Sequence, residues 1–210
     1  MFVFWPVMAA LVVAELWVVA DEARARFEWL VKPAAALTFI VAAWAHGALG
    51  STWGTVMFVG FVLAAGGDVL LIPKDRRIFL AGLISFLLGH VGYAVAFAVR
   101  GLDWLWVGVA AAILLGVAAP ILRWLWPHVE KPMRGPVAAY VAVITAMVAL
   151  AAGTYGAHGD LWILVGAFGF YLSDLAVARE RFVQKAFLNR AWGLPLYFGS
   201  QLLLATTVGS

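Results

Sequence analysis

Three acidic side chains lie inside long apolar stretches of the sequence, where ionisable groups are rare. They are Glu15, Asp68 and Asp174. A charged side chain at the centre of a membrane helix costs roughly 2.5–3.5 kcal/mol on insertion scales, so such residues usually face a protein interior and mark functional sites. The Gly-Gly-Asp and Ser-Asp sequences at the two aspartates favour acids that pack inward. Each acid also has a simpler alternative, a carboxylate that reaches water or a loop arginine near a helix end, and Glu15 fits this alternative best.

Polar and aromatic side chains accompany these acids at helical spacing. Tyr197 and Gln201 are four residues apart, and His90 and Tyr93 are three apart, so each pair shares one face of a helix. Tyr140 is expected in the first turns of the sixth helix. These residues predict either hydrogen bonds between helices, worth about 0.6–2 kcal/mol each, or the lining of a pocket shared with the acids.

Basic residues cluster at the ends of the apolar segments. Lys32, Arg77, Arg181 and Arg190, together with Asn189, form a polar rim. The tendency of cytoplasmic loops to carry positive charge explains this rim without any function. The functional interpretation is a binding site for a phosphate or an anionic headgroup.

Several kinds of chemistry have no support in the sequence. There is no cysteine, which removes disulfides, thiol nucleophiles and thiolate metal sites. There is no nucleophile elbow, zinc-protease signature or nucleotide-binding loop. The four histidines are spread over different predicted depths, which is unfavourable for a zinc site. We therefore expect no metal and no cofactor.

The composition predicts that lipid surrounds most of the chain. Of 210 residues, 65% are hydrophobic and 12% are charged, which leaves too much apolar surface for a soluble domain. Because the apolar runs are continuous and about 18–22 residues long, they predict helices and not barrel strands. We expect an all-α polytopic membrane protein, a single integral membrane domain over residues 1–210 with eight transmembrane helices, at 2–20, 33–50, 54–72, 78–99, 103–123, 135–153, 160–178 and 190–207.

Details of these segments refine the expectation. The first lacks a basic leading region and is too long for the apolar part of a signal peptide, so we expect a retained helix. Pro33 and Pro136 are expected in the first turns of helices. Pro120 and Pro195 are expected to kink or interrupt theirs.

The loop charges predict the orientation. Thirteen of the fourteen basic residues fall in four alternating loops, and Arg100 alone falls elsewhere. The positive-inside rule places these loops in the cytoplasm and both termini on the non-cytoplasmic side of the cell (inner) membrane. The three acids would then share one depth, about 6–9 Å below the inner surface. The loop charges also explain the net charge of +3, so no nucleic-acid partner is expected.

A parallel four-plus-four repeat is one interpretation of the chain. Asp68 and Asp174 are 106 residues apart, about half the chain, and each precedes a loop with an acidic residue, arginine and phenylalanine. Both halves would run in the same direction. Chance similarity in so biased a composition is the alternative.

Taken together, these residues resemble the YhhN family of membrane lysoplasmalogenases. The resemblance covers most of the chain. It implies eight helices, hydrolysis of the vinyl ether bond of a lysophospholipid substrate to a fatty aldehyde and glycerophosphoethanolamine or glycerophosphocholine, and Asp68 and Asp174 as the catalytic residues. Predicted pocket residues are Glu15, Lys32, His90, Tyr93, Tyr140, Arg181, Tyr197 and Gln201. The matching stretches are Lys32-Pro33, residues 67–71, residues 86–94, Ser173-Asp174 with Arg181-Phe182, and Tyr197 to Gln201.

Vinyl ether hydrolysis suits a pair of carboxyl groups. Slow proton transfer to the β-carbon gives an oxocarbenium ion, which water then captures. One carboxylic acid supplies the proton and one carboxylate stabilises the cation or activates water, a division of labour similar to that of glycosidases. Which aspartate is the acid stays open. The lipid would enter from the membrane, with its phosphate near the basic rim.

Two other functions fit parts of the pattern. A small proton-coupled transporter would also need membrane acids, kinked helices and a repeat. A non-catalytic membrane scaffold would have polar residues that face separate neighbours. The headgroup preference and the oligomeric state stay open.

Overall fold

The computed structural model describes residues 3–73 and 75–209. The described part of the chain forms eight α-helices and no strand, which confirms the all-α prediction. Phe2 of the first predicted segment and Lys74 of the third basic loop lie outside the described residues. The helices are α1 (Phe4–Val19), α2 (Glu28–Ala45), α3 (Thr52–Leu70), α4 (Arg76–Arg100), α5 (Trp104–Leu125), α6 (Lys131–His158), α7 (Leu161–Ala178) and α8 (Phe187–Thr207).

Four helices begin at a polar N-cap residue, whose side chain accepts a backbone N–H that has no partner within the helix. At α4, Asp75 Oδ1 accepts the N–H of Arg77 at 2.8 Å. Ser51, Asp103 and Asp160 cap α3, α5 and α7 in the same way. The caps set where these helices begin and hence which residues face inward.

The predicted start of the second helix is wrong by five residues. Helix α2 begins at Glu28, and Pro33 is its sixth residue. Lys32 and Glu28 form an ion pair of 3.2 Å one turn apart, which stabilises the extra turn. The helix also ends early, at Ala45, because Gly47 adopts a positive φ of 83° that terminates helices.

Three other prolines, Pro120, Pro136 and Pro195, also lie inside helices. Helix α6 begins at Lys131, so that Pro136 is again the sixth residue and not the first. Helices α5 and α8 run through Pro120 and Pro195. Proline removes one backbone hydrogen bond in each case, but α5 and α8 continue through Pro120 and Pro195, so neither proline marks a break in the first turn. A kink at each stays a prediction.

Six of the described helices, α2 to α7, are long and apolar enough to cross a membrane. Helix α1 has 16 residues and would be about 24 Å long, short of the roughly 30 Å hydrocarbon core. Helix α8 has 21 residues but carries Asn189, Arg190 and Gln201, which lower its hydropathy. The chain is therefore a multi-pass membrane protein with at least six candidate spans.

The helices form a ring around a shared interior. Neighbours in the ring pack in the order α2, α3, α4, α6, α7 and α8, and α8 closes the ring on α2. Helix α1 packs outside it against α2 and α8, whereas α5 packs outside it against α6. Large fully buried side chains fill the interior, among them Phe39, Phe61, Tyr93, Phe170 and Phe198.

Glycines allow the closest helix contacts. A Cβ atom on Gly60 of α3 would lie 2.4 Å from the Tyr93 ring of α4. A Cβ atom on Gly166 of α7 would lie 2.7 Å from Leu204 of α8. Both glycines precede an aspartate on the same helix by eight residues. Small residues that let helices approach are typical of membrane interfaces.

Candidate active site

Asp68 lies at the end of a chain of buried hydrogen bonds that crosses the helical ring. The Tyr197 hydroxyl of α8 donates to Asp68 Oδ2 at 2.6 Å. Gln201 Nε2 donates to the Tyr197 oxygen at 3.4 Å, and the Tyr93 hydroxyl donates to Gln201 Oε1 at 2.8 Å. All four side chains are buried. We call these residues the Asp68 network; it joins α3, α4 and α8.

Asp174 is held by a second set of partners. The Tyr140 hydroxyl of α6 donates to Asp174 Oδ2 at 3.0 Å, and His90 Nε2 of α4 lies 3.3 Å from the same oxygen. His90 Nδ1 lies 2.7 Å from the backbone oxygen of Phe86. A carbonyl only accepts hydrogen bonds, so Nδ1 carries a hydrogen and donates. Asp174, Tyr140 and His90 form the Asp174 network.

The two networks differ in access. The Asp174 side chain is 16% exposed, whereas Asp68 as a whole is 2% exposed. Asp174 is therefore partly accessible, whereas Asp68 is enclosed by protein. An acid that must contact a substrate needs the first environment.

The Phe170 ring lies between the two networks. Its centroid is 4.5 Å from that of His90 and 5.2 Å from that of Tyr197. The networks therefore contact each other through aromatic packing. Sequence reasoning missed Phe170, although it precedes Asp174 by four residues and so lies on the same helix face.

Glu15 and Lys32 lie beside the Asp68 network. Glu15 is fully buried, and no donor among the described residues is within hydrogen-bonding distance of either carboxylate oxygen. The Lys32 charge acts on both Glu15 and Asp68, while its ammonium pairs with Glu28. Glu15 is a residue of α1 and Lys32 a residue of α2, so these two helices contribute the charged groups nearest to the Asp68 network.

The predicted basic rim is mostly occupied by internal contacts. The Arg181 guanidinium stacks on the Phe79 ring at 4.0 Å, and Arg190 pairs with Glu180 at 3.3 Å. Glu180 also accepts from Asn189 Nδ2 at 2.9 Å. This junction between α7 and α8 was not predicted from the sequence. The feature of the sequence that could have indicated this junction is Glu180, an acidic residue among the arginines of the loop.

No metal site is evident in the part of the chain that the structure describes. No three histidine, aspartate or glutamate side chains there lie close enough to hold an ion. The chemistry of the two networks is that of carboxyl, phenol and imidazole groups, which bind, donate and accept protons.

Residues 27–208 match the YhhN family, which covers most of the chain. The chain belongs to the YhhN family. This confirms the resemblance drawn from the residues around Asp68, His90 and Asp174. Both networks lie within the matched residues, whereas Glu15 precedes them.

Relatives of this YhhN member include proteins named lysoplasmalogenase. The chain is 32% identical to Lysoplasmalogenase TMEM86A of Bos taurus over 157 residues, 72% of this chain and 64% of that protein. It is 34% identical to the Homo sapiens TMEM86A over the same shares, and 34% identical to a lysoplasmalogenase of Mycobacterium tuberculosis over 65% of this chain and 52% of that protein. The chain thus spans less than two thirds of their length. No solved structure matches the chain at a significant level.

Of the ten predicted site residues, seven fall into the two networks. The Asp68 network takes Tyr93, Tyr197 and Gln201, and the Asp174 network takes His90 and Tyr140. Glu15 and Lys32 lie beside the first. Arg181 packs on Phe79 instead, at the junction that follows α7. Their roles in catalysis or substrate binding stay predictions.

Proposed function

We propose that this chain hydrolyses the vinyl ether bond of lysoplasmalogens. The observation that carries the proposal is the pair of aspartates inside one ring of helices, each of which accepts a hydrogen bond from a tyrosine of another helix. The names of the relatives supply the substrate class. Two ionisable groups in such surroundings cost free energy, so residues of this kind are usually retained for a function.

The reaction needs one proton and one water molecule. A carboxylic acid protonates the β-carbon of the vinyl ether, and the α-carbon becomes an oxocarbenium ion. Water adds to the α-carbon and loses a proton to the carboxylate that donated the first one, which regenerates the carboxylic acid. The resulting hemiacetal breaks its bond to the glycerol oxygen, which takes a proton, and releases a fatty aldehyde and a glycerophospho-alcohol. No oxidant or cofactor enters this balance.

Asp174 is the carboxyl group that we assign to contact with the substrate. Its partial exposure supports this assignment. Tyr140 orients it through a hydrogen bond, and His90 Nε2 lies 3.3 Å from the same oxygen. Asp68 is the second carboxyl group, which Tyr197 holds in the interior next to Phe170. We assign it to electrostatic stabilisation of the cation and not to contact with the substrate. Preorganised hydrogen bonds of this kind avoid reorganisation during the reaction.

The proposed architecture is a single membrane domain with eight spans, both termini on the non-cytoplasmic side, and two parallel four-helix halves. Support for the halves comes from packing. Helices α1 to α4 pack in sequence as α5 to α8 do, and the α4–α6 contact matches the α8–α2 contact. Gly60 and Gly166 share the 106-residue separation of the two aspartates. In this arrangement Asp68 contacts Tyr197 of α8, the last helix of the other half, and Asp174 contacts His90 of α4, the last helix of the first half.

The test is aldehyde release by the purified chain in detergent. We expect aldehyde from 1-alkenyl lysophospholipids, and no turnover of 1-alkyl analogues, which lack the double bond. Ester lysophospholipids should also be stable. Absence of aldehyde from well-folded protein would contradict the proposal.

The same assay separates the alternatives. A transporter has no gradient to use in detergent, so turnover there would exclude transport as the sole function. A scaffold is disfavoured because the polar side chains bond to one another and not to separate neighbours. No described feature favours transport over hydrolysis.

A further inference from the structure

An apolar groove runs along the outer side of the ring between α4 and α6. Its volume is about 280 Å³, and the side chains that line it are all apolar. They lie in the later parts of both helices, so the groove runs along the helix axes. The lining includes Ala94, Val95 and Ala98 of α4 and Val143, Ala146 and Leu150 of α6.

The position of the outer helices explains why this groove is open. The ring has two contacts between its halves, α2–α8 and α4–α6. Helix α1 packs against both α2 and α8 and so covers the first contact. Among the described residues, α5 packs extensively against α6 but not against α4. The α4–α6 contact is therefore left open to the surrounding lipid.

A second groove, of about 310 Å³, lies at the beginning of the same two helices. Arg76, Arg77 and Leu80 line it from α4, and Pro132 and Pro136 are among the residues that line it from α6. The second groove therefore carries positive charge, whereas the first is lined only by apolar side chains.

Arg77 is the cation that remains available in this second groove. Arg76 pairs with Glu130 at 3.2 Å, whereas the Arg77 guanidinium has no carboxylate partner among the described residues. Other cations of the predicted rim, Lys32 and Arg190, are paired with glutamates. A phosphate group is the natural partner of an unpaired guanidinium at a membrane surface.

Along the axes of α4 and α6, residues of the Asp174 network lie at heights between those of the residues that line the two grooves. Tyr140 is one turn beyond Pro136 and just before Val143 on α6, and His90 directly precedes Val91 on α4. The stretch from Pro136 to Val143 rises about 10 Å, which leaves space for a glycerol unit with its vinyl ether.

We propose that the α4–α6 contact is the binding track of the lysophospholipid. The phosphate binds at Arg77, the vinyl ether lies beside Tyr140 and Asp174, and the alkenyl chain occupies the apolar groove. This inference rests on the proposed function and adds the entry side and orientation of the substrate. Charge at one end and an apolar groove at the other match the two ends of a single-chain phospholipid.

The first test fills the apolar groove. Ala98→Trp and Ala146→Trp place a large side chain at exposed positions in the groove, and Ala112→Trp is the matched control on the lipid-facing side of α5. We expect kcat/KM for a long-chain 1-alkenyl lysophospholipid to fall about tenfold, since a misplaced substrate loses orientation. A short-chain 1-alkenyl analogue, which ends before the groove, should be hydrolysed as by the unmodified chain. An equal loss for both lengths, or none, would overturn the track.

The second test removes the charge. Arg77→Gln should raise KM for the phospholipid about tenfold, because charge-assisted contacts to phosphate are strong. It should leave 1-alkenylglycerol, which lacks the phosphate, unchanged. Lys185→Gln is the control for loss of one exposed loop charge. Equal KM values for Arg77→Gln and the unmodified chain would overturn the phosphate site.

A binding experiment separates this inference from the proposed function. A 1-alkyl lysophospholipid with a diazirine at the chain end cannot be hydrolysed and labels the residues that surround the chain. Labelled peptides from α4 and α6 support the track even if no substrate is turned over. Labelling of α1, α2 or α8 instead would overturn the track even while aldehyde release upholds the proposed function.

Discussion

His90 Nε2 and Asp174 Oδ2 lie 3.3 Å apart inside the helical ring. His90 Nδ1 already donates to the Phe86 carbonyl. A close contact between Nε2 and the carboxyl oxygen is favourable only when one of the two carries a proton. Among the described residues Nε2 makes no hydrogen bond, so it faces the carboxyl group of Asp174, the more exposed of the two aspartates, without another partner. Vinyl ether hydrolysis requires a proton at the reacting carbon, and an imidazole beside a carboxyl group is positioned to exchange one.

Removal of the imidazole should slow catalysis. We expect His90→Gln to lower kcat about 10²–10⁴-fold, the usual contribution of a positioned acid–base group, with little change in KM. The measurement is steady-state aldehyde release. His128→Gln, in a short turn after α5, is the control. A kcat equal to that of the unmodified chain would remove His90 from the reaction.

Loss of one phenol hydroxyl should affect each network separately. Tyr197→Phe and Tyr140→Phe remove the donors to Asp68 and Asp174. We expect kcat to fall about 10²–10³-fold for each, by analogy with other preorganised donors. Tyr155→Phe, whose ring packs on Trp106 away from both networks, should keep full activity. If Tyr155→Phe lowers kcat by the same factor, the effect of removing a phenol hydroxyl is not specific to the site.

The α3–α4 contact should be sensitive to a single methyl group. Gly60→Ala places its Cβ atom 2.4 Å from the Tyr93 ring, and overpacking of this kind costs about 1–3 kcal/mol. Thermal unfolding in detergent, followed by tryptophan fluorescence, measures the change. Gly108→Ala, where no atom lies within 4 Å, should not lower the melting temperature. A Gly60→Ala chain as stable as the unmodified one contradicts the packing.

The junction between α7 and α8 should depend on Asn189. This buried side chain accepts from Arg179 and donates to Glu180 and to the Gln184 carbonyl. Asn189→Ala removes all three hydrogen bonds, and Glu180 keeps Ala186 and Arg190 as partners. The expected cost is about 1–3 kcal/mol. Thermal unfolding is again the measurement, and Lys185→Ala is the exposed control. Equal melting temperatures for the two variants would contradict the role of Asn189.

Much of the site followed from residue type and spacing. Apolar length predicts the helices, and an ionisable residue in lipid-length sequence marks Asp68 and Asp174. The four-residue spacing of Tyr197 and Gln201 predicts their shared face, and the two do form a hydrogen bond. These features depend on residues that are close together in the chain, so they can be recognised in a single sequence.

Long-range geometry was beyond the sequence. Nothing in the spacing indicates that Tyr140 contacts Asp174 while Tyr197 contacts Asp68, because helix order in the ring depends on packing. Phe170 is one of many aromatic residues, and its position between the networks has no distinct signal. The sequence pattern predicts that the second helix begins at Pro33, whereas α2 begins at Glu28. Proline is tolerated at the sixth residue because Glu28 and Lys32 stabilise the first turn.

The most direct test of the account compares three aspartate variants. Asp68→Asn and Asp174→Asn keep the side-chain size but remove the carboxyl group, and Asp103→Asn keeps the N-cap of α5, since asparagine caps equally well. With purified protein and one 1-alkenyl lysophospholipid, we predict that the first two variants lose aldehyde release by at least about 10³-fold, while Asp103→Asn is fully active. Normal turnover by folded Asp68→Asn or Asp174→Asn would contradict the two-carboxyl mechanism.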